Sequence, residues 1–184
     1  MGHNVRSYDP ADGGNDVQLI GGKLVIQPTG ELVVQAGGTV EGVLQEATEV
    51  TFTETVGAGA WTGSVTVPAG ATLVDIIVNA VALWDSETSA TMKVGDVADD
   101  DGYFTGINLK STDLLAGESI SFGFNGGKGG DYLATSGHVK NRYSATERTI
   151  TGTVTKVGST GTAGRTRMIV LYTKPAEIIE AEKE

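Results

Sequence analysis

The sequence predicts an all-β protein: a short N-terminal β-repeat module followed by an eight-stranded antiparallel sandwich of the jelly-roll kind. Three observations carry this. A strand-plus-turn unit recurs every eight residues near the N-terminus. From residue 50 to 173, short apolar–polar alternations follow one another between glycine-rich turns. No stretch of useful length keeps a helical period. Glycine is abundant (27 residues) and proline scarce (4), which suits many short strands joined by tight turns. A chain of 184 residues accommodates one main domain and an appendage.

Residues 1–15 are polar and unpatterned, and read as a flexible arm that orders against a partner. The module of residues 16–46 follows. Its first two repeats, Lys23-Leu24-Val25-Ile26-Gln27-Pro28-Thr29-Gly30 and Glu31-Leu32-Val33-Val34-Gln35-Ala36-Gly37-Gly38, match nearly position for position; a third, from Thr39 to Glu46, is degenerate. Pro28 presets φ for a turn, and Gly30 can take the positive φ that closes it. Strand periodicity puts Leu24 with Ile26 and Leu32 with Val34 on one face, continued by Val40 and Leu44. Three strands of about five residues bury too little to be stable alone. The apolar face therefore calls for a cover, and stacking on other copies of the chain supplies one. These six residues are the candidates for oligomerisation and docking; a plain β-meander lying on the main domain is the alternative.

The sandwich is expected over residues 47–174. Residues 50–56 and 61–67 alternate cleanly. Residues 73–84 form the most apolar run, read as a strand buried on both faces because of its β-branched content. Strands are also expected over 89–94, 102–109, 119–124, 148–157 and 165–173, with Phe122 and Phe124 sharing a face. Residues 125–137 are glycine-rich and read as a flexible loop. The tail, 175–184, is acidic and opens with Pro175, which suits a first helical turn.

Several classes of function are disfavoured. There is no cysteine, so no disulfide framework and no thiolate chemistry. No apolar run approaches the roughly 20 residues needed to span a bilayer. The N-terminus lacks the core of a signal peptide, and Arg6 breaks the myristoylation pattern. A soluble protein without a membrane partner is the expectation. The net charge of −10 argues against nucleic acid. That charge is uneven. Residues 1–109 carry three basic against fifteen acidic side chains, a net −12, and residues 110–184 ten against eight, a net +2. Such asymmetry suits self-association or docking on a charged surface, or simply solubility.

No catalytic group or cofactor site is assigned. Asp96, Asp99, Asp100 and Asp101, with Gly102 to turn the loop, offer the hard oxygens a Ca²⁺ site needs, but the spacing is not that of a helix–loop–helix site. A solvated turn is the plain alternative, and no metal is assigned. His3 lies in the arm and His138 in a glycine-serine loop, neither with an orienting partner in sequence. Asn125-Gly126-Gly127-Lys128-Gly129-Gly130 lacks the Ser/Thr and the helix of a phosphate loop. Arg142, Tyr143, Arg148, Arg165 and Arg167 form a late cluster of types favoured at protein interfaces, and equally suited to a sugar-binding face.

From residue 55 to 172 the chain resembles a known group. The runs Val67-Pro68-Ala69-Gly70-Ala71-Thr72-Leu73-Val74-Asp75-Ile76, Ala90-Thr91-Met92-Lys93-Val94-Gly95, Asp100-Asp101-Gly102-Tyr103-Phe104-Thr105-Gly106 and Arg148-Thr149-Ile150-Thr151-Gly152 resemble small structural proteins encoded beside the capsid gene of tailed bacteriophages. The repeat before them is similar to the anchoring base of head-fibre and decoration proteins. The resemblance implies a non-enzymatic virion protein, assembled in the host cytoplasm and placed on the outer capsid surface. It implies a homotrimer whose partner is the major capsid protein, docked through its N-terminal region with the sandwich outward. The alternative is a carbohydrate- or receptor-binding appendage that uses the sandwich loops.

Overall fold

The computed structural model describes residues 45–133 and 138–173. Eight strands run through them: β1 (Gln45–Thr53), β2 (Gly59–Val67), β3 (Thr72–Ala82), β4 (Ser89–Gly95), β5 (Phe104–Asn108), β6 (Ser119–Ile120), β7 (Arg148–Val157) and β8 (Arg165–Thr173). They form two four-stranded sheets, ordered β1-β8-β3-β6 and β2-β7-β4-β5, and every pairing is antiparallel. Each connection crosses from one sheet to the other except β4 to β5. Two four-stranded sheets interleaved in this way are a jelly roll. The proposed repeat module lies outside the described residues except for its last two, Gln45 and Glu46, which open β1; its candidates Leu24, Ile26, Leu32, Val34, Val40 and Leu44 lie outside them, as do the arm and the tail.

Alternation decides which side chains fill the space between the sheets. Phe52 of β1, Leu73, Ile76, Val78 and Ala80 of β3, and Met168, Val170 and Tyr172 of β8 face Val65 and Val67 of β2, Ile150 and Val154 of β7, Met92 and Val94 of β4, and Phe104 and Ile107 of β5; all are buried. Gly152 breaks the row at mid-β7. A Cβ there would lie 2.8 Å from Met92 Cε and 3.0 Å from Phe52 Cζ, so the glycine lets the sheets close. Each fully buried large apolar side chain contributes about 1.5–3 kcal/mol. Exposed ion pairs such as Lys93–Asp100 and Arg167–Glu49 contribute about 0–1 kcal/mol, so the core decides stability.

Four expectations need correction. β1 starts and stops earlier than residues 50–56: its register with β8 runs from Gln45↔Thr173 to Thr53↔Arg165. Residues 45–49 are largely exposed, so no apolar alternation announces them. β3 is buried on one face and half-buried on the other, because among the described residues the second sheet covers only its inner face. Of residues 119–124 only Ser119 and Ile120 pair in a ladder. Ser121 and Phe124 then close a turn on each other (3.1 and 3.3 Å), which leaves Phe124 84% exposed while Phe122 stacks on Tyr103. Finally, the glycine-rich loop is not free throughout. Gly129 bridges to Phe104, Gly130 N–H donates to Tyr103 O at 2.9 Å, and a Cβ on Gly130 would lie 2.0 Å from Asp101 O.

Candidate functional site

Successive connections fall at alternate ends of the sandwich, and the candidate residues divide between those ends. At the first end the β2–β3, β4–β5 and β6–β7 connections meet. Asp96, just past β4, is buried there and organises it. Its Oδ1 accepts from the N–H groups of Ala98 (3.0 Å) and Asp99 (3.2 Å) and from the Tyr132 hydroxyl (3.1 Å). Its Oδ2 accepts from Asn141 Nδ2 at 2.5 Å. Asn141 holds φ at 53°, which carries the chain sharply toward β7. The Asn141 carbonyl accepts the Tyr103 hydroxyl at 2.7 Å and the Arg148 guanidinium, which also reaches Arg142 O.

Arg142 has a different task. Val74 is the extra residue where the β3–β8 register slips between Leu73 and Asp75. The Arg142 guanidinium donates to Leu73 O (2.7 Å) and Val74 O (2.8 Å), the carbonyls that this bulge turns away from the ladder. Leu73 N–H returns a bond to Arg142 O at 2.9 Å. Asp75 then accepts from Ile76 N–H and Phe122 N–H.

The candidate metal ligands stand beside Asp96 and apart from it. Asp99, Asp100 and Asp101 each offer an oxygen within 4.8 Å of the others. Asp100 is paired with Lys93, Asp101 Oδ2 accepts the Thr105 hydroxyl at 2.8 Å, and Asp99 Oδ1 accepts Asp101 N–H. Burial, reinforced by Asp101 and Asp131, raises the Asp99 carboxyl above the ordinary range. Burial likewise pushes up the phenols of Tyr103 and Tyr132, with the Asp96 charge adding to both.

Arg142, Tyr143, Arg148, Arg165 and Arg167 are not one patch. The first three belong to this end, with Tyr143 59% exposed and the two arginines engaged with carbonyls. Arg165 starts β8 opposite Thr53, and Arg167, opposite Thr51, is paired with Glu49. His138 is exposed.

The second end holds residues that composition and motif reading passed over. Glu54, next after β1, and Lys156 on β7 are fully buried and form an ion pair at 3.1 Å. Glu54 Oε2 accepts the N–H groups of Asp85 (3.1 Å) and Gly164 (2.9 Å). Lys156 Nζ donates to Thr55 O and Gly161 O, both at 2.8 Å. Trp84 closes the core beneath, its indole N–H donating to Thr166 Oγ1 at 2.9 Å. Asp85 Oδ1 accepts from Thr162 and Ala163 N–H (2.9 and 3.2 Å). The Ala163 amide is the main reason the Asp85 carboxyl sits below its ordinary range, with a hydrogen bond to Glu54 adding to it. One sequence signal was available. Lys156 takes the inward parity of Ile150, Gly152 and Val154, where a charge demands a partner.

The sheet face outside β7 is lined with hydroxyls. Thr149, Thr151 and Thr153 lie beside Thr66, Ser64 and Thr62 of β2. A shallow depression is lined by Thr91, Lys93, Asp101, Thr105, Thr153 and Thr155, with the Thr105 hydroxyl held on Asp101.

An eight-stranded jelly roll with interlocked loop ends is the class these observations define. No family model and no curated protein matches the chain. Among solved structures, a chain in the acidic stable capsid structure of Helicobacter pylori bacteriophage KHP30 superposes with a TM-score of 0.51 at 16% identity, over 78% of this chain and 97% of that one. A chain of the cyanophage Pam1 capsid asymmetric unit follows at 0.48 and 19% identity, over 82% and 98% of the two chains. A chain of the capsid of Ralstonia phage GP4 follows at 0.44 and 17%, over 77% and 90%. The likeness to the KHP30 chain is one of fold.

Proposed function

We propose that the protein is a non-enzymatic structural component of a bacteriophage virion. It decorates or cements the capsid as a homotrimer, docks on the major capsid protein through its N-terminal region and carries the sandwich outward. The observation that carries this reading is the strand order, β1-β8-β3-β6 against β2-β7-β4-β5, in a fold that matches nearly the whole of a chain from a phage capsid structure. Two features support it. Among the described residues the polar clusters hold loops to strands, through Asp96 and Arg142 at one end and Glu54 with Lys156 at the other. The alternation in the repeat of residues 23–46, if it forms strands, would give an apolar face for copies of the chain or a shell surface to cover.

The test adds full-length protein to shells of the parent phage assembled without it, with sedimentation and light scattering as readouts. Saturable co-sedimentation and the mass of a trimer are expected. A monomer that stays in the supernatant overturns the reading. Retention on a glycan array, with no binding to shells, would assign the sandwich loops to carbohydrate instead.

A further inference from the structure

The pair at the second end is arranged for more than attraction. Lys156 Nζ has three oxygens around it: Thr55 O, Gly161 O and Glu54 Oε1. The two oxygens of Glu54 are treated differently. Oε2 sits between two backbone N–H groups, those of Asp85 and Gly164. Oε1 takes no aligned hydrogen bond and faces the ammonium at 3.1 Å. Two amides converging on one oxygen of a carboxyl group, with an amine poised at the other, is the arrangement that stabilises the oxyanion of acyl transfer. A third group completes it. Asp85, whose own N–H is one of the two on Glu54 Oε2, has its carboxylate anchored by Thr162 and Ala163 at the protein surface, and its Oδ1 and Glu54 Oε1 flank the same point, 2.8 and 2.6 Å from where a Cβ on Gly161 would stand.

We propose that Lys156 and Glu54 condense to an intramolecular amide with release of one water, cross-linking β7 to the residue that follows β1, with Asp85 as the proton carrier. The step needs no co-reactant. One Nζ proton passes to Glu54 Oε1, which leaves a neutral amine and a neutral acid. The Nζ lone pair forms a bond to Cδ, and the displaced electron pair rests on Oε2 between the two N–H groups. The Asp85 carboxylate takes a second Nζ proton and returns it to Oε1. The Cδ–Oε1 bond breaks, water departs past Asp85, and Oε2 becomes the amide carbonyl. The third proton stays on nitrogen, and no atom changes oxidation state.

Two physical effects favour the product. A fixed contact replaces encounter, worth an effective molarity of up to about 10⁵–10⁸ M in well-oriented pairs. A neutral amide also removes the desolvation penalty that two opposite charges bear in an apolar interior.

Intact-mass spectrometry of the full-length protein tests this. The expected mass is that of the sequence less one water, with a branched peptide joining Glu54 to Lys156 on digestion. K156M should show its full sequence mass, and E54Q should lose ammonia in place of water. D85A should form the bond more slowly after refolding. The full sequence mass in folded, aged wild-type protein overturns the proposal. So does a water loss traced to cyclisation at Asp12-Gly13 or Asp101-Gly102, which K156M would leave in place.

Discussion

Gly164 offers the sharpest test of how the second end is packed. The residue is buried, and its φ lies outside the left-handed region, so space rather than backbone conformation excludes a side chain. In G164A the new Cβ would lie 2.4 Å from Trp84 Cγ, 2.6 Å from Cδ2 and 2.7 Å from Glu54 Oε2. Carbon atoms rest at about 3.5–4.0 Å, so something must yield by roughly 1 Å. The indole cannot easily retreat. It is 2% exposed, tied to Thr166 through Nε1, and met edge-on by Trp61 at a centroid distance of 5.4 Å. If the backbone moves instead, Gly164 N–H loses Glu54 Oε2 and Gly164 O loses the N–H of Glu54.

Overpacking of this kind costs about 1–3 kcal/mol, and stranding a buried polar group costs about 1–3 kcal/mol more. The smaller backbone entropy of alanine in the unfolded chain returns about 0.4–1 kcal/mol. The balance is a net loss of about 1–5 kcal/mol, and a loss of about 2–3 kcal/mol already corresponds to a fall in Tm of roughly 6–15 °C for a domain of this size. The control is G123A. That position is exposed and a Cβ there meets nothing within 4 Å, so the variant should melt within about 2 °C of the parent. Calorimetry on the two variants decides. If G164A melts with G123A, the tight contact with Trp84 is not a feature of the molecule in solution.

Two further outcomes follow from the first end. Asp96→Ala leaves Ala98 N–H, Asp99 N–H, the Tyr132 hydroxyl and the Asn141 amide without their acceptor, and should lower the unfolding free energy by about 2–4 kcal/mol in a urea titration, with an unchanged m-value if the sandwich itself persists. Alkaline pH should act through Tyr103 and Tyr132. Burial raises both phenols in the folded state, so above about pH 10 the unfolded chain releases protons that the folded chain retains. The phenols' contribution to stability is therefore constant below that pH and falls above it; Tyr103→Phe should flatten part of the fall, and phenolate absorbance that rises fully before unfolding would refute the assignment.

Much of the sandwich is legible in the sequence because most strands keep one face against the core. The alternation Arg148-Thr149-Ile150-Thr151-Gly152-Thr153-Val154 gives β7, and the same rule gives β2, β4 and β8. It fails where a strand faces solvent on both sides. Gln45-Glu46-Ala47-Thr48-Glu49 pairs with β8 along its whole length but is largely exposed, so it carries no apolar alternation. It fails again for sites built by tertiary contact. Arginine in a late loop reads as an interface residue, yet Arg142 is placed by a bulge in β3, 68 residues away along the chain. Lys156 announces by parity that it needs a carboxylate, but nothing local to it singles out Glu54.

These contacts also give the acidity of the chain a structural cause. In a jelly roll nearly every connection crosses between sheets, and its backbone N–H groups leave one ladder before they can join another. A buried N–H without an acceptor costs about 1–3 kcal/mol, whereas an ionised carboxylate offers about four acceptor positions on a short stem. Carboxylates fill that role repeatedly here: Glu54 for Asp85 and Gly164, Asp75 for Ile76 and Phe122, Asp85 for Thr162 and Ala163, Asp96 for Ala98 and Asp99, Asp113 for Asn108, and Glu118 for Leu115. Four of the six lie within the strongly acidic first 109 residues, where Asp100 and Glu49 are also engaged, with Lys93 and Arg167. Part of the negative charge that composition offers to a partner is thus already spent on the protein's own amides, and an electrostatic docking surface must draw on the carboxylates that remain.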